Sequence, residues 1–454
     1  VAWEGTGPIA GVTPRLLARV KEEGLAGVSF TPAVQRVGSG TLAPHVLGRV
    51  GQMSPEEWEV YQDRGYAMDE TVGKDGAEGA FESYLHGTPG QKVLETDKDG
   101  RITGETNAVQ PQAGRDVTLT LDRDLQAAAE TALAGFLDRH PQATGGALVA
   151  LDVRDGGVLA MVSQPGYDAA SFSADYAALS QDEAHPLMNR AVQGLYAPGS
   201  TFKLVTAAAA LEEGFLTPET QILDTGRYTY YKSPQPQCWL YRQEGKTHGL
   251  ETVSEAIADS CNIFFYDVGR RLGVDTFSAM ARQLGLANDT GVEITAAQGR
   301  LTWSTDTNYQ DGLTLMAAIG QGNTAVTPLQ LAQYAATLAN YGRKPTLHFA
   351  DRAVQPATGA AVWQYEPAFT EIPGGEAVFG PIRDGMKRMA QTARALREAP
   401  VTVAAKTGSP QLADTLPGGS HYVNSVLIGY APADDPQIAM AVVLEYGGGG
   451  ANAA

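Results

Sequence analysis

An almost wholly apolar stretch, Ala197 to Gly214, constrains this chain more than any other part of it. We expect one helix there, opened by Pro198-Gly199 and ended by Gly214. Because a helix that is apolar on every side is a buried helix, the fold must enclose it. Its first turn nevertheless carries Ser200 and Lys203, which lie three positions apart and therefore share one face. A hydroxyl and an amine at the start of a buried helix are typical of a nucleophile and its base.

Composition limits the class of protein. The chain has 454 residues, of which 43% are hydrophobic, and this is enough for a sizeable core and more than one domain. Its net charge of −18 argues against nucleic acid as a partner, since such binding depends on Lys and Arg that neutralise phosphates. No apolar run reaches the length needed to cross a bilayer. Because the first residue is Val1, we expect a fragment or a processed form that an anchor or signal segment preceded.

The pattern of residue types changes near residue 115. Residues 1 to about 115 are punctuated by Gly and Pro, and we expect an elongated, loop-rich module with little core of its own. Short amphipathic pieces within it predict helices at Thr13 to Glu23, Pro55 to Asp63 and Glu78 to His86.

From Asp116 onward, strand and helix patterns follow each other closely. Strands are predicted at Val117–Asp122, Gly146–Asp152, Gly157–Ser163, Val401–Thr407, Val423–Ala431 and Ile438–Glu445. Helices are predicted at Arg123–Leu137, at Phe264–Leu272, and from Thr327-Pro328 to Asn340. A further short helix is predicted to begin at the capping box that Thr252 opens. Strand pairs at both ends with helices between them predict an α+β fold, in which helices cover an antiparallel sheet.

Three short motifs occur once each, in a fixed order. They are Ser200-x-x-Lys203, Ser260-Cys261-Asn262 and Lys406-Thr407-Gly408. The first opens a predicted helix, the second lies between two helices, and the third ends a strand. Each is a weak signal alone, but together they form the signature of the penicillin-binding proteins and serine β-lactamases.

Serine acyl transfer explains the residue types of the first two motifs. Ser200 is a poor nucleophile unless a base lies within hydrogen-bond reach. Lys203 serves as that base if burial and the nearby charge of Lys406 remove its proton. Ser260 can relay a proton to a leaving amine, and the amide of Asn262 can hold both Lys203 and a substrate carbonyl.

The third motif suits the carboxyl end of a peptide. Lys406 and Thr407 can hold a terminal carboxylate, and Gly408 lets a substrate backbone lie along the strand edge. Backbone N–H groups of Ser200 and Ser409 would form an oxyanion hole. Ser409 stands where Thr is common in such proteins, and the hydroxyl is kept.

The resemblance extends over nearly the whole chain. A transpeptidase domain is resembled by four segments, Gly114–Gln126, Pro186–Ser200, Gly320–Gly322 and Thr327–Gln330. Leu42–Gly48 and Val72–Gly90 resemble the non-catalytic pedestal of class B penicillin-binding proteins. Cys238-Trp239, followed by His248-Gly249 and Ser-Cys-Asn, is similar to the elongation and sporulation branch of that class.

The resemblance implies the penicillin-binding transpeptidase fold, an antiparallel sheet flanked by helices plus an all-helical subdomain. Residues 1–115 would be an incomplete pedestal or dimerisation-type domain without its anchor, and residues 116–454 the transpeptidase domain. The family usually adds a closing helix against the sheet beyond the position of Ala454.

The function implied is that of a membrane-anchored D,D-transpeptidase at the extracytoplasmic face of the cell membrane. Ser200 would attack the D-Ala-D-Ala end of a peptidoglycan stem peptide, and β-lactams would acylate it. No cofactor is needed for this chemistry, and a membrane glycosyltransferase of the shape, division and sporulation type is the expected partner. The alternatives are a β-lactamase or β-lactam sensor of the same fold, and a non-catalytic scaffold.

Cys238, His248 and Cys261 are open to three interpretations. Buried cysteines usually act as small apolar residues. Two cysteines outside the cell can also form a disulfide. Two thiolates and an imidazole are, in addition, ligands that zinc prefers, with Asp259 or another carboxylate as the fourth. Such a zinc would be structural, because the serine mechanism needs no metal.

Overall fold

The computed structural model describes residues 13–23, 40–98, 102–233, 235–415 and 421–454. The chain divides into two compact units, 1–38 and 39–454. In the described part of the first unit there is one helix, α1 (Pro14–Glu23), at the predicted amphipathic segment.

The second unit contains sixteen described α-helices and eighteen described strands. The helices are α2 (Pro44–Leu47), α3 (Pro55–Tyr61), α4 (Gly76–Ala80), α5 (Glu82–Leu85), α6 (Arg123–Arg139), α7 (Phe172–Gln181), α8 (Arg190–Gln193), α9 (Lys203–Glu212), α10 (Trp239–Glu244), α11 (Val253–Ala258), α12 (Asn262–Leu272), α13 (Val274–Gln283), α14 (Asp311–Ala317), α15 (Pro328–Ala339), α16 (Gly375–Thr392) and α17 (Arg394–Arg397). Short 3₁₀ helices lie at Gln62–Arg64, Gly199–Phe202 and Gly450–Ala453.

The strands are β1 (Val50–Gln52), β2 (Thr71–Gly73), β3 (Gln91–Thr96), β4 (Ile102–Val109), β5 (Asp116–Leu119), β6 (Gly145–Asp152), β7 (Val158–Gln164), β8 (Ile222–Asp224), β9 (Gly249–Glu251), β10 (Arg343–Pro345), β11 (Ala350–Val354), β12 (Ala361–Gln364), β13 (Phe369–Glu371), β14 (Ala404–Gly408), β15 (Gln411–Thr415), β16 (His421–Val423), β17 (Ser425–Ala431) and β18 (Ile438–Glu445).

The centre of the second unit is a five-stranded antiparallel sheet in the order β14-β17-β18-β6-β7. The predicted antiparallel sheet with helices is therefore confirmed. Strands β6 and β7, both predicted, pair as a hairpin, with Gly146 opposite Gln164. The turn between them needs Gly156, whose φ of +86° strongly favours glycine. Strand β14 lies at one edge of the sheet, which leaves one of its sides free of strand pairing.

The apolar stretch from Ala197 to Gly214 forms the buried helix that we expected. Every residue of α9 from Lys203 to Leu211 is buried. Its first turn is a 3₁₀ helix, because the Lys203 N–H bonds the carbonyl of Ser200, three residues back. Gly214 has a φ of +66° and ends the helical segment as predicted.

Capping signals located two other helices correctly. Thr252 and Glu255 form a reciprocal capping box that opens α11. Thr327 and Gln330 do the same for α15, with Pro328 in its first turn. All twelve residues of α15 are buried, and the helix packs against β6 and β18 on one face of the sheet.

The structure contains elements that the sequence patterns did not indicate. Helix α16 has 18 residues with Pro381 inside it, where propensity argues against a helix. Its buried stripe, which includes Phe379 and Met386, overrides that propensity by packing against α11 and β14. Strands β3 and β4 pair within a segment expected to consist of loops. Among the described helices, none is both long and apolar enough to span a bilayer.

Candidate active site

Ser200 lies in the 3₁₀ turn before α9, half-buried, at the wall of a cleft of about 580 Å³. The turn starts at Gly199, whose φ is +56°. The cleft brings together residues from all three motifs with polar and aromatic neighbours. Its lining is formed by Ser200, Pro236, Gln237, Trp239, Arg242, Gln243, Ser260, Asn262, Tyr266, Met316, Ile319, Gln321, Thr407, Ser409 and Gln411.

A hydrogen-bonded network joins the three motifs beneath this cleft. The Lys203 Nζ donates to the carbonyl of Ser260 at 2.6 Å, to Ser260 Oγ at 3.2 Å and to Asn262 Oδ1 at 2.7 Å. The Lys406 Nζ donates to Ser260 Oγ at 3.0 Å and to the carbonyl of Thr407 at 3.2 Å. Because the Ser260 hydroxyl accepts from both amines, its own proton is free to be donated elsewhere.

The two amines of this network are fully buried, and both have perturbed pKa values. Burial lowers the pKa of Lys203 to about 8. Burial and then the positive charge of Lys203 lower the pKa of Lys406 well below its ordinary value. Two ammonium groups on one hydroxyl are costly in a buried site, so an amine of this pair can lose its proton near neutral pH.

The Ser200 hydroxyl and the Lys203 amine are not hydrogen-bonded to each other in this structure. The three hydrogen bonds of the Lys203 ammonium all go to Ser260 and Asn262. Hydrogen bonds between nucleophile and base are often long before substrate binds and shorten in the complex.

The Ser-x-Asn segment is the turn between α11 and α12, and its backbone is strained. Ser260 has a φ of +55°, a conformation that costs a non-glycine residue roughly 1 kcal/mol or more. Asn262 is the first residue of α12, and its backbone N–H donates to Cys238 Sγ at 3.4 Å. This tight turn carries Ser260 and Asn262 toward Lys203 on one side and leaves Cys261 on the other.

Gly408 is required by the protein's own backbone. A Cβ at this position would lie 2.5 Å from the carbonyl oxygen of Pro198 and 3.4 Å from the Ser200 nitrogen. On the other side, a Cβ at Gly450 would lie 2.5 Å from the Gly408 carbonyl. Strand β14 is thus held between the Ser200 turn and the 3₁₀ helix at Gly450. This contact is a stronger reason for glycine than the expected approach of a substrate backbone.

Ser409 follows Gly408 and faces the cleft. Its Oγ accepts a hydrogen bond of 2.7 Å from the Gly450 N–H. The hydroxyl proton of Ser409 is therefore available to a ligand.

A second cluster lies behind the Ser-x-Asn turn. It consists of Asp224, Cys238, His248 and Cys261, whose ligand atoms all lie within 4.8 Å of one another. Both cysteines are buried and free, so no disulfide joins them. The carboxylate in this cluster is Asp224, which falls under the other carboxylates that the sequence left open; Asp259 is not part of the cluster.

The contact between Asp224 and His248 explains why the sequence did not identify this carboxylate. Strands β8 and β9 pair with Asp224 opposite Gly249, which puts the carboxylate beside His248. Only the pairing of these two short strands brings the two residues together, and their separation in the sequence gives no sign of it. The His248 Nδ1 lies 2.8 Å from Asp224 Oδ2.

Charge is concentrated in this cluster. The Cys238 Sγ lies 3.6 Å from His248 Nδ1. Hydrogen bonding from Cys261, and then from His248, lowers the pKa of Cys238 in spite of burial. Burial disfavours the charged imidazole, but the hydrogen bonds to Cys238 and Asp224 prevail and raise the pKa of His248 to about 9. The cluster therefore favours a thiolate beside a cation.

Helix α10 supplies a wall of the cleft that sequence reasoning missed. Cys238 precedes it, and Trp239, Arg242 and Gln243 from its face line the cleft. The Trp239 Nε1 donates to the carbonyl of Asp259 at 3.0 Å, next to the Ser-x-Asn turn. The spacing i, i+3, i+4 was visible in the sequence, but its position opposite Ser200 was not.

Comparison with known proteins agrees with this geometry. Residues 146–454 match the family described as the penicillin binding protein transpeptidase domain. Residues 5–119 match the penicillin-binding protein dimerisation domain.

Two curated relatives are named peptidoglycan D,D-transpeptidase MrdA. The protein of Acinetobacter baumannii is 34% identical over 440 residues, which are 91% of this chain and 63% of the relative. The protein of Salmonella typhimurium is 32% identical over 443 residues, which are 90% of this chain and 69% of the relative. The chain thus spans about two thirds of the length of these relatives.

A solved structure gives the same result. It is a chain from a study of the structural coordination of polymerization and crosslinking by a peptidoglycan synthase complex. It is 33% identical, superposes with a TM-score of 0.84, and is matched over 98% of this chain and 78% of its own length. The three motifs at one cleft and these similarities show that the chain belongs to the class B penicillin-binding proteins, the family of the peptidoglycan D,D-transpeptidases.

Proposed function

We propose that this chain is a serine D,D-transpeptidase that crosslinks peptidoglycan stem peptides through an acyl-enzyme on Ser200. The observation that supports it most directly is the network of Lys203, Ser260, Asn262 and Lys406 beside the Ser200 cleft. A hydroxyl with a buried amine of lowered pKa nearby is the arrangement that serine acyl transfer needs.

Acylation begins when the Ser200 Oγ attacks the carbonyl of the penultimate D-Ala. The Ser200 proton passes to Lys203 in its neutral form. Backbone N–H groups of Ser200 and Ser409 stabilise the oxyanion of the tetrahedral intermediate. The close contact of Gly408 with the Ser200 turn supports this pairing, because it holds the two N–H groups on neighbouring backbones.

Collapse of the intermediate breaks the peptide bond, and the leaving D-Ala amine takes a proton. Ser260 donates that proton and recovers one from Lys203, whose Nζ lies 3.2 Å from its Oγ. The amine of a second stem peptide then attacks the acyl-enzyme and forms the crosslink, with the proton movements reversed. Thr407 and Ser409, which line the cleft, hold the terminal carboxylate, and the buried Lys406 supports them through its hydrogen bond to the Thr407 carbonyl.

Intact-mass analysis after exposure to a β-lactam tests this proposal. We expect a stable adduct of one drug per chain, which Ser200→Ala abolishes. An adduct that persists in Ser200→Ala contradicts the assignment of the nucleophile. Hydrolysis of the adduct within seconds favours a β-lactamase, and the absence of any adduct in the wild-type chain favours a non-catalytic scaffold.

We propose further that Asp224, Cys238, His248 and Cys261 hold a structural zinc ion. Two thiols, an imidazole and a carboxylate fit the ligand preference of zinc, and the four residues would supply one ligand atom each, all within 4.8 Å of one another. The hydrogen bond between the two thiols lowers the pKa of Cys238 and raises that of Cys261, so the pair favours one thiolate, and zinc would bind both thiols in the deprotonated form. The ion would fix the segment before α10 and the residue between Ser260 and Asn262, and it takes no part in acyl transfer.

Metal analysis of the purified chain tests the zinc proposal. We expect about one zinc per chain, and a lower melting temperature after treatment with a strong chelator. Cys261→Ser should lose the ion, whereas Asp259→Asn, the neighbouring carboxylate outside the cluster, should keep it. Zinc-free protein with an unchanged melting temperature would exclude this site.

The proposal extends to the domains and the location. We assign residues 1–115 to a pedestal and residues 116–454 to the transpeptidase domain, and the two matched family regions support that division. The enzyme would act at the extracytoplasmic face of the cell membrane beside a membrane glycosyltransferase. The peptidoglycan synthase complex among the structural neighbours supports such a partner, and co-purification with the glycosyltransferase from solubilised membranes tests it.

A further inference from the structure

Charge in the cleft is confined to one exposed residue. Of the described residues that line it, Arg242 alone carries a formal charge, and Gln237, Gln243, Gln321 and Gln411 surround the same space. The chain as a whole has a net charge of −18, so a cation here is a local exception. Amides and a guanidinium offer hydrogen-bond donors to an anionic ligand.

The position of Arg242 is fixed by its helix. Trp239, Arg242 and Gln243 stand at i, i+3 and i+4 of α10, so one face of this helix looks into the cleft. On the opposite face Tyr241 packs against Gly226, where a Cβ would lie 2.3 Å from the tyrosine ring. Rotation of α10 is therefore blocked.

Two anchors hold the N-terminal end of α10. The helix follows Cys238, which is fully buried, and the Trp239 indole donates to the carbonyl of Asp259. The helix is thereby attached to the turn that carries Ser260. A ligand held by Arg242 would keep a defined distance from the reacting groups.

The guanidinium of Arg242 is available to a ligand. It forms no ion pair with any carboxylate in the described part of the chain, and its acidic neighbour Glu244 pairs instead with Lys246 at 3.0 Å. The residues proposed for the D-Ala carboxylate, Thr407 and Ser409, come from β14 and the residue after it, whereas Arg242 is on α10. The cleft thus has a cation that the reaction at D-Ala-D-Ala does not use.

We infer that Arg242 selects donor stem peptides that carry a second carboxylate, on the N-terminal side of the scissile bond. This inference rests on the proposed transpeptidase function and adds a specificity residue to it. The ion pair is partly exposed, so its contribution is modest and falls with salt. A neutral carboxamide in the same place would lose the charge but keep a similar shape.

Two synthetic donor peptides that end in D-Ala-D-Ala test the inference. They are identical except for a carboxylate or a carboxamide N-terminal to the scissile bond, and released D-Ala is measured with an amine acceptor. We expect wild-type kcat/KM to favour the carboxylate by about fivefold at low salt. Arg242→Gln should bring the ratio to about one, Arg242→Lys should retain part of it, and Arg242→Glu should reverse it.

Lys232→Gln is the matched control, since it removes a positive charge from the segment before α10, outside the cleft lining, and leaves the Glu244–Lys246 pair intact. It should leave the ratio unchanged. If no variant and no wild-type chain forms an acyl-enzyme with either peptide or a small penicillin, the proposed function fails. If acyl-enzymes form but the ratio is equal in wild type and Arg242→Gln, the inference about Arg242 fails alone.

Discussion

Gly408→Ala is the sharpest test of the contact between β14 and the Ser200 turn. The new Cβ would lie 2.5 Å from the Pro198 carbonyl oxygen. An ordinary carbon–oxygen contact is about 3.3 Å or longer, so the strand and the turn must separate by about 0.8 Å. A displacement near 1 Å between reacting groups reduces rates by about 100-fold. We therefore expect acylation by a β-lactam to fall by about 100-fold.

The fold should survive this substitution. Overpacking of this kind costs about 1–3 kcal/mol, which lowers the melting temperature without removing a cooperative transition. The assay is stopped-flow acylation with a fluorescent penicillin, together with thermal unfolding of the same sample. Gly312→Ala is the control, because no atom lies within 4 Å of a Cβ there and its rate should not change.

A companion variant distinguishes misplacement from misfolding. In Gly450→Ala the new Cβ would press on Gly408 from the opposite side, 2.5 Å from its carbonyl oxygen. The 3₁₀ helix that carries Gly450 lies outside the sheet pairing and can yield, so we expect less than about a tenfold loss. Wild-type acylation in a folded Gly408→Ala chain would refute the reasoning that the two backbones fix the site.

Three further substitutions or conditions have distinct outcomes. The acylation rate of Ser200 should rise about tenfold per pH unit up to pH 8 and then level, because the pKa of Lys203 is lowered to about 8 and only the neutral amine takes a proton. Stopped-flow rates measured from pH 6 to 9 check this, and a rate that does not change with pH contradicts it. Ser260→Gly should slow acylation by about 100-fold, since it removes the hydroxyl between both lysines. It should also be more stable than Ser260→Ala by about 1 kcal/mol, because both variants lose the same hydrogen bonds and only glycine relieves the φ of +55°; chemical denaturation and the same kinetic assay measure both, and equal stability of the two variants would show that the turn is not strained. Arg190→Met should lower the free energy of unfolding by about 3–5 kcal/mol, because Glu445 loses the buried partner 3.0 Å away. The double variant Arg190→Met/Glu445→Gln should recover part of that loss in the same chemical denaturation. Equal losses in both variants would contradict the buried ion pair.

Local sequence signals predicted the elements that local interactions decide. The apolar stretch predicted α9, and its burial is confirmed from Lys203 to Leu211. The capping boxes at Thr252 and Thr327 located two helices, because a cap satisfies backbone groups within its own turn. The fold class followed from strand patterns at both ends of the chain. The sequence did not predict helix α16, because Pro381 lies inside it and argues against a helix. Packing against α11 and β14 stabilises this helix instead.

The motif residues were identifiable from their order, and their contacts were not. Sequence spacing could not show that Ser260 Oγ accepts from both lysines, because those residues come from three distant segments. It did indicate that Asn262 holds Lys203, but it could not show that Lys203 and Ser200 are not hydrogen-bonded to each other. Asp224 escaped detection for the same reason, since the pairing of β8 and β9 brings it to His248.

The sequence alone determined the buried helix, the three motifs and the residue types of the chemistry, because each depends on neighbours within a few positions. Only the tertiary structure decided the distances between those motifs, the lowered pKa of the buried lysines and the cation on α10 that faces the cleft. It also decided that position 408 requires glycine because of the Pro198 carbonyl, and that position 450 requires glycine because of the Gly408 backbone. These properties arise from contacts between segments far apart in the chain, and burial gives them their strength.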